Sequence, residues 1–171
     1  NYIRGHGIDK LIESELSDID PEDNKALLHS SQVIKHAILD KEIDEKLKKE
    51  IAVAYGKLGK DNYVAVRSSA TAEDLPTASF AGQQATFLNV HGEKNLMEAV
   101  KKCWASLFEP RAIYYRAINK FEHMKVYLSI GIQKMVRSDL ASSGVIFTID
   151  TESGFKDVVF INASYGLGEN I

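Results

Sequence analysis

Arg67 stands at the end of the apolar run Tyr63-Val64-Ala65-Val66 and is followed at once by the hydroxyl residues Ser68, Ser69 and Thr71. Pro76 and the small residues Ala78, Ser79, Ala81 and Gly82 come next, before a second apolar run that ends at Val90. A guanidinium presents a planar fork of donors that matches phosphate oxygens, and a loop of small residues lets backbone N–H groups approach the same anion. The pattern predicts a strand ending in a cation on its buried side, then a phosphate-holding loop, then a second strand. An ordinary polar hairpin, with Arg67 paired to a surface carboxylate, is the alternative that residue chemistry leaves open.

Two further groupings have the chemistry to touch a nucleotide. Gln133-Lys134-Met135-Val136 closes an alternating apolar run and would offer backbone groups and apolar side chains to a flat heterocycle. Asn162-Ala163-Ser164-Tyr165-Gly166-Leu167-Gly168-Glu169 is a strand that breaks into glycines and ends in a carboxylate suited to a ribose hydroxyl or a metal; an ordinary turn is its alternative. Several common motifs are missing: there is no Gly-x4-Gly-Lys-Ser/Thr loop, and Gly166-Leu167-Gly168 does not extend to Gly-x-Gly-x-x-Gly. The histidines His6, His29, His36, His91 and His123 lack metal-ligand spacing and adjoin no Ser or Cys nucleophile, so they read as surface residues. Cys103 falls within an apolar helical stripe and reads as a core thiol.

The elements that must position these residues follow from periodicity. The first third predicts helices. Asp20-Pro21-Glu22-Asp23 supplies a cap, a first-turn proline and acidic residues ahead of Leu27, Val33, Ile34, Ala37 and Ile38. A second helix is expected from near Asp40, carrying Ile43, Leu47, Ile51, Ala54 and Leu58 and ending at Gly56 and Gly59. A third, from about Glu93 to Phe108, has Leu96, Ala99, Val100, Cys103 and Leu107 on one face. A fourth starts at Pro110 with Ile113, Tyr114, Ala117 and Ile118. Trp104, Tyr114 and Tyr115 read as core aromatics, because no basic groove accompanies them. The last third turns to strands: Val126, Leu128, Ile130 and Ile132 alternate, and Val145–Ile149 and Val158–Ile161 flank a turn at Glu152-Ser153-Gly154. Helices and strands in blocks predict an α+β fold rather than a doubly wound sheet.

Bulk composition narrows the function classes. A net charge of −3 over 171 residues gives no general attraction to nucleic acid or an anionic membrane, so phosphate binding must be local. One cysteine cannot form an internal disulfide and fits a reducing cytoplasm. No apolar run reaches the length of a membrane span, and no signal-peptide pattern opens the chain. The first residue is not Met, and the segment is expected to be a piece of a longer protein.

The 27-residue stretch from Val64 to Val90, VAVRSSATAEDLPTASFAGQQATFLNV, resembles the signature of the phosphoenolpyruvate synthase and pyruvate phosphate dikinase family, in its N-terminal nucleotide-binding domain. The likeness continues through Ala105-Ser106-Leu107-Phe108, Arg111-Ala112-Ile113, Tyr115-Arg116 and Gln133-Lys134-Met135-Val136-Arg137-Ser138-Asp139. It continues again through Ser142-Ser143-Gly144-Val145, Asp150-Thr151-Glu152-Ser153-Gly154-Phe155 and Gly166-Leu167-Gly168-Glu169. It is strong from about Tyr63 to Ile171 and weaker over the first sixty residues; the synthase branch is the nearer match.

The resemblance implies that residues 1–171 are part of an ATP-grasp-like domain, with a mainly helical subregion over 1–60 and a nucleotide-binding α+β lobe over 61–171. It implies a reaction in which pyruvate, ATP and water give phosphoenolpyruvate, AMP and phosphate, by way of a phosphohistidine on another domain. Arg67 would contact the ATP phosphates, with Gly82 and Thr86 lining that side. Gln133 would lie near adenine or ribose, Met135 and Val136 would pack the base, and Glu169 would contact the ribose. The implied cofactors are ATP and magnesium, the metal's ligands and the Gly-Gly-Lys segment falling outside this chain. The implied partners are the phosphohistidine and pyruvate-binding domains, within a homo-oligomeric enzyme; the fragment alone is expected to be inactive. A rifampin-phosphotransferase-like enzyme and a pyruvate phosphate dikinase are alternatives of the same chemistry, and a non-catalytic nucleotide-binding module is one of another class.

Overall fold

The computed structural model describes residues 2–59, 62–70, 74–75, 78–79, 85–168 and 171. It divides into two compact units, Asn1–Met135 and Val136–Ile171. The first opens with helices α1 (Tyr2–Gly5), α2 (Ile8–Leu16), α3 (Asn24–Asp40) and α4 (Glu45–Gly56). The strands β1 (Val64–Ala70), β2 (Asp74–Leu75), β3 (Ala78–Ser79) and β4 (Thr86–Val90) follow, then α5 (Glu93–Ser106), α6 (Pro110–Ile118), a 3-10 turn (His123–Lys125) and β5 (Leu128–Lys134). Helices in the first third and antiparallel strands later make an α+β fold, as composition in blocks predicts. Among the described residues no helix is long and apolar enough to cross a membrane.

Local chemistry sets the helix boundaries, and some differ from the periodicity reading. The cap of α3 is Asp23, not Asp20: its carboxylate accepts from the N–H groups of Lys25 (2.9 Å) and Ala26 (3.1 Å). Asp20 instead accepts from Glu22 N–H at 2.9 Å, closing a turn ahead of the helix. The next helix begins at Glu45 rather than near Asp40, because Asp44 caps it through Leu47 N–H at 2.9 Å. Pro110 does open α6, where its missing N–H costs nothing. Tyr114 and Ile118 point outward on that helix, and its inner face is Ala112, Ile113 and Arg116.

Helix α5 joins two cores. Leu96, Ala99, Val100 and Cys103 pack with Val64 and Val66 of β1, Val90 of β4 and Ile43. Ala105, with Phe108 just past the helix, packs with Ile8, Ile12, Leu27, Ile34, Ile38 and Ile113 of the helical layer. Each fully buried aliphatic side chain here contributes about 1.5–3 kcal/mol relative to exposure. Cys103 is completely buried, and desolvation raises its thiol pKa to about 11, as befits a core residue.

The sheet of this unit has the order β4-β1-β5, all neighbours antiparallel. Strand β1 runs to Ala70, so Arg67 sits mid-strand and exposed instead of ending the strand on its buried side. Alternation sends Val64, Val66 and Ser68 into the core and Tyr63, Arg67 and Ser69 to the other side. One irregularity matters: the register shifts between Val64↔Val90 and Val66↔Phe87, and Asn89 lies in that gap with φ +56°. It is a β-bulge, which lets Val90 and Phe87, three residues apart, both face inward.

The second unit contains a 3-10 turn (Ser138–Leu140) and a hairpin of β6 (Ser142–Phe147) and β7 (Phe160–Tyr165). These strands begin and end a few residues from the runs expected at Val145–Ile149 and Val158–Ile161. Its ladder runs from Ser142↔Tyr165 to Phe147↔Phe160. Gly144 is required there, since a Cβ would lie 2.5 Å from the carbonyl oxygen of Asn162. Asp150 organises the turn beyond the ladder, accepting from Glu152 N–H at 3.1 Å and from the Ser153 hydroxyl.

Candidate functional site

The antiparallel register assembles the candidate site row by row, because residues directly opposite one another share a face. Arg67 pairs with Thr86 on one side and Gly131 on the other. One row along, Ala65 pairs with Gln133; in the other direction Ser69 pairs with Ser129. Beyond Ala65, the N–H of Met135 donates to the carbonyl of Tyr63 at 2.9 Å, continuing the ladder past the strand ends. Arg67, Thr86, Gln133, Ser69 and Ser129 are exposed, while Val64, Val66, Phe87, Ile130 and Ile132 lie on the opposite, core-packed face. The bulge at Asn89 is what sets Thr86, and not Phe87, opposite Arg67.

Ser68 ties β1 to the residue that precedes β4. It is buried on the core side, its hydroxyl accepts from Ala85 N–H at 3.0 Å, and its own N–H donates to Ala85 carbonyl at 3.0 Å. Two adjacent strand positions thus divide the work: Ser68 ties together the two ends of the connection, while Arg67 projects from the open face. Among the described residues no carboxylate pairs with Arg67. Gly131 opposite leaves room beside it: a Cβ there would come no closer than 4.0 Å to the backbone.

The structure therefore brings Arg67, Thr86, Gln133 and Met135 to one sheet face of the first unit. Val136 belongs to the second unit and is 80% exposed. Gly82 and Glu169 lie outside the described residues. A cavity of about 320 Å³ elsewhere in the first unit, lined by Tyr2, Trp104, Phe108, His123, Met124 and Leu128 among others, includes none of the sequence-predicted residues.

Sequence reasoning missed a polar pair beside that cavity, a buried arginine with a half-buried histidine. Arg116 is wholly buried on the inner face of α6, its Nε donates to His123 Nδ1 at 3.0 Å, and its guanidinium carbon lies 5.5 Å from the Phe108 ring centroid. Its two terminal nitrogens have no hydrogen-bond partner among the described residues. Desolvation pulls the Arg116 pKa down to about 10, leaving it charged at neutral pH. Burial, with that charge as the lesser cause, pulls His123 down to about 4. His123 is thus a neutral acceptor, not a surface residue. The available signal was Arg116 recurring at helical spacing after Ala112 and Ile113 on an apolar face.

A model of the family described as "Pyruvate phosphate dikinase, AMP/ATP-binding domain" matches residues 1–171. The chain is 50% identical over 179 residues to the phosphoenolpyruvate synthase of Synechocystis sp., covering 99% of this chain and 22% of that protein. It is 50% identical over 170 residues to the synthase of Deinococcus radiodurans, and 50% identical over 173 residues to that of Escherichia coli, with the same coverage in each case. The chain spans about a fifth of the length of these curated relatives. With a match along the whole sequence, this chain belongs to the pyruvate phosphate dikinase AMP/ATP-binding domain family.

Proposed function

We propose that this chain is the ATP-binding lobe of a phosphoenolpyruvate synthase, built on an ATP-grasp-like plan. The whole enzyme converts pyruvate, ATP and water to phosphoenolpyruvate, AMP and phosphate, and carries the phosphoryl group on a histidine of another domain. The observation that carries this reading is the row Thr86–Arg67–Gly131 on an open sheet face, one row from Gln133, in a chain half identical to such synthases. Arg67 compensates negative charge on the ATP phosphates, where a fixed cation is worth most as charge shifts during transfer. Thr86 and Gly82 line the phosphate side. Gln133 holds adenine or ribose, Met135 and Val136 pack the base, and Glu169 contacts the ribose.

Magnesium belongs to this reading as the companion of ATP. Among the described residues no three His, Cys, Asp or Glu side chains converge. Its ligands are assigned, by the family resemblance, to polypeptide outside this chain. The remaining domains of a cytoplasmic, homo-oligomeric enzyme supply the phosphohistidine and the pyruvate site. Assaying the longer protein with ATP and pyruvate, rifampin or phosphate tests the reading: AMP formation should depend on pyruvate, and its absence with pyruvate would overturn the assignment.

A further inference from the structure

The open face that carries Arg67 has an aromatic end. Tyr63 is 49% exposed, and its ring lies 4.9 Å from that of His91, with 30° between the planes. The register that pairs Val64 with Val90 and Lys134 makes His91, Tyr63 and Met135 one row across the end of the sheet. That row lies on the same face as Ala65–Gln133 and Thr86–Arg67–Gly131. Four residue steps along the strand lead from Tyr63 to Arg67, about 13 Å at the rise of an extended chain. This matches the distance from the base to the terminal phosphates of an extended nucleoside triphosphate. Ala65, between them, is 7% exposed and forms a low floor. The face is thus graded along β1, with an aromatic and thioether end, a small and amide-bearing middle, and a cationic end.

We infer that Tyr63, backed by His91, is a positioning residue for the purine base of ATP, stacking on it while Arg67 holds the phosphates. The inference rests on the reading of this face as the nucleotide site. Base–aromatic stacking is worth about 1–3 kcal/mol per base, which is about 5- to 150-fold in affinity. The amide of Gln133 then lies between base and phosphates, where ribose or the base edge is within its reach, and Met135 closes the same end. His91 follows directly after β4, so the bulge at Asn89 that aligns Thr86 with Arg67 also brings His91 opposite Tyr63.

The test uses the longer protein and two ligands, ATP and inorganic tripolyphosphate, with affinities measured by calorimetry. Tyr63→Ala should weaken ATP about tenfold and leave tripolyphosphate unchanged, whereas Tyr63→Phe should stay within about twofold for both. Arg67→Ala should weaken both ligands. Unchanged ATP affinity in Tyr63→Ala, with both ligands still weakened by Arg67→Ala, would overturn the base contact and keep the nucleotide site. Equal loss of both ligands in Tyr63→Ala would also overturn it, by making the effect structural. Undiminished binding of both ligands in Arg67→Ala would overturn the nucleotide reading of the face, and the base contact with it. Because Tyr63 is half exposed, Tyr63→Ala should melt within a few degrees of the parent, which checks that the variants compared are folded.

Discussion

Two cations in this chain face opposite fates, and burial decides between them. Arg67 is exposed on a sheet face, where its charge is solvated. Arg116 is sealed against Phe108 and His123, and its charge has no carboxylate partner among the described residues. Substituting Arg67 should therefore spare the fold and damage function. Arg67→Ala in the longer protein is expected to cut turnover by at least about 100-fold, the scale of losing one transition-state charge contact, with melting temperature little changed. Wild-type rates would remove Arg67 from the site. The Arg116–His123 pair predicts a pH effect instead. His123 is held near pKa 4 in the folded chain against an ordinary 6.5, so folding favours its neutral form. Stability is thus whole above pH 6.5 and is lost as pH falls from 6.5 towards 4, because only the unfolded chain gains the proton. Melting curves between pH 7 and 5, where carboxylates remain mostly ionised, should fall for the parent and flatten in His123→Gln. Equal slopes would show that His123 does not drive the loss.

At the scale of the element, β4 depends on one residue in an unusual backbone conformation. A plain strand cannot turn both Phe87 and Val90 inward, since an odd spacing sends them to opposite faces. Asn89 at φ +56° absorbs the extra residue, and asparagine tolerates that region far better than a β-branched side chain does. Asn89→Gly should be nearly neutral, whereas Asn89→Val should destabilise the chain by about 1–2 kcal/mol in urea titrations. Equal stability of the two variants would mean that strain at Asn89 does not maintain the bulge. Helix α3 shows the same dependence on single groups at its C-terminal end. The Lys101 ammonium donates to Leu39 carbonyl at 2.7 Å, and the Tyr2 hydroxyl lies 2.7 Å from the carbonyls of Ile38 and Lys41. These long-range caps answer carbonyls that the helix itself leaves unpaired.

The two units of the whole molecule differ in how much surface they bury. The first has two apolar cores that share α5, whereas the hairpin of the second leaves Ile146, Phe147, Phe160 and Ile161 between 40% and 65% exposed. A two-stranded hairpin is marginal by itself in water. Its amides at Val145–Phe147 and Phe160–Asn162 should exchange faster in this chain than those of Val64–Ser68, and should slow in the longer protein, where more polypeptide is present to cover them. Exchange equally slow in the isolated chain would show that the hairpin is self-sufficient. Because the relatives are about five times longer, this chain alone should bind ATP with a Kd of about 0.1 mM or weaker. Micromolar affinity by calorimetry would show that the one lobe suffices.

What the sequence determined alone was local chemistry and its order. The Arg67 run with its hydroxyl and small residues, the apolar stripe holding Cys103, the proline at the start of α6 and the change from helices to strands were all legible, because periodicity and turn chemistry act over a few residues. The family was legible too, in motifs from Tyr63 onwards. The tertiary structure decided which side of a strand Arg67 faces, through a register that depends on β1, β4 and β5 together and on the bulge at Asn89. It decided that His123 is a half-buried acceptor for Arg116 and that Tyr63 stands beside His91 and Met135 in one row. Each of these is a relation between residues far apart in the chain, and pairing across a sheet or burial against a helix fixes it where local propensity cannot.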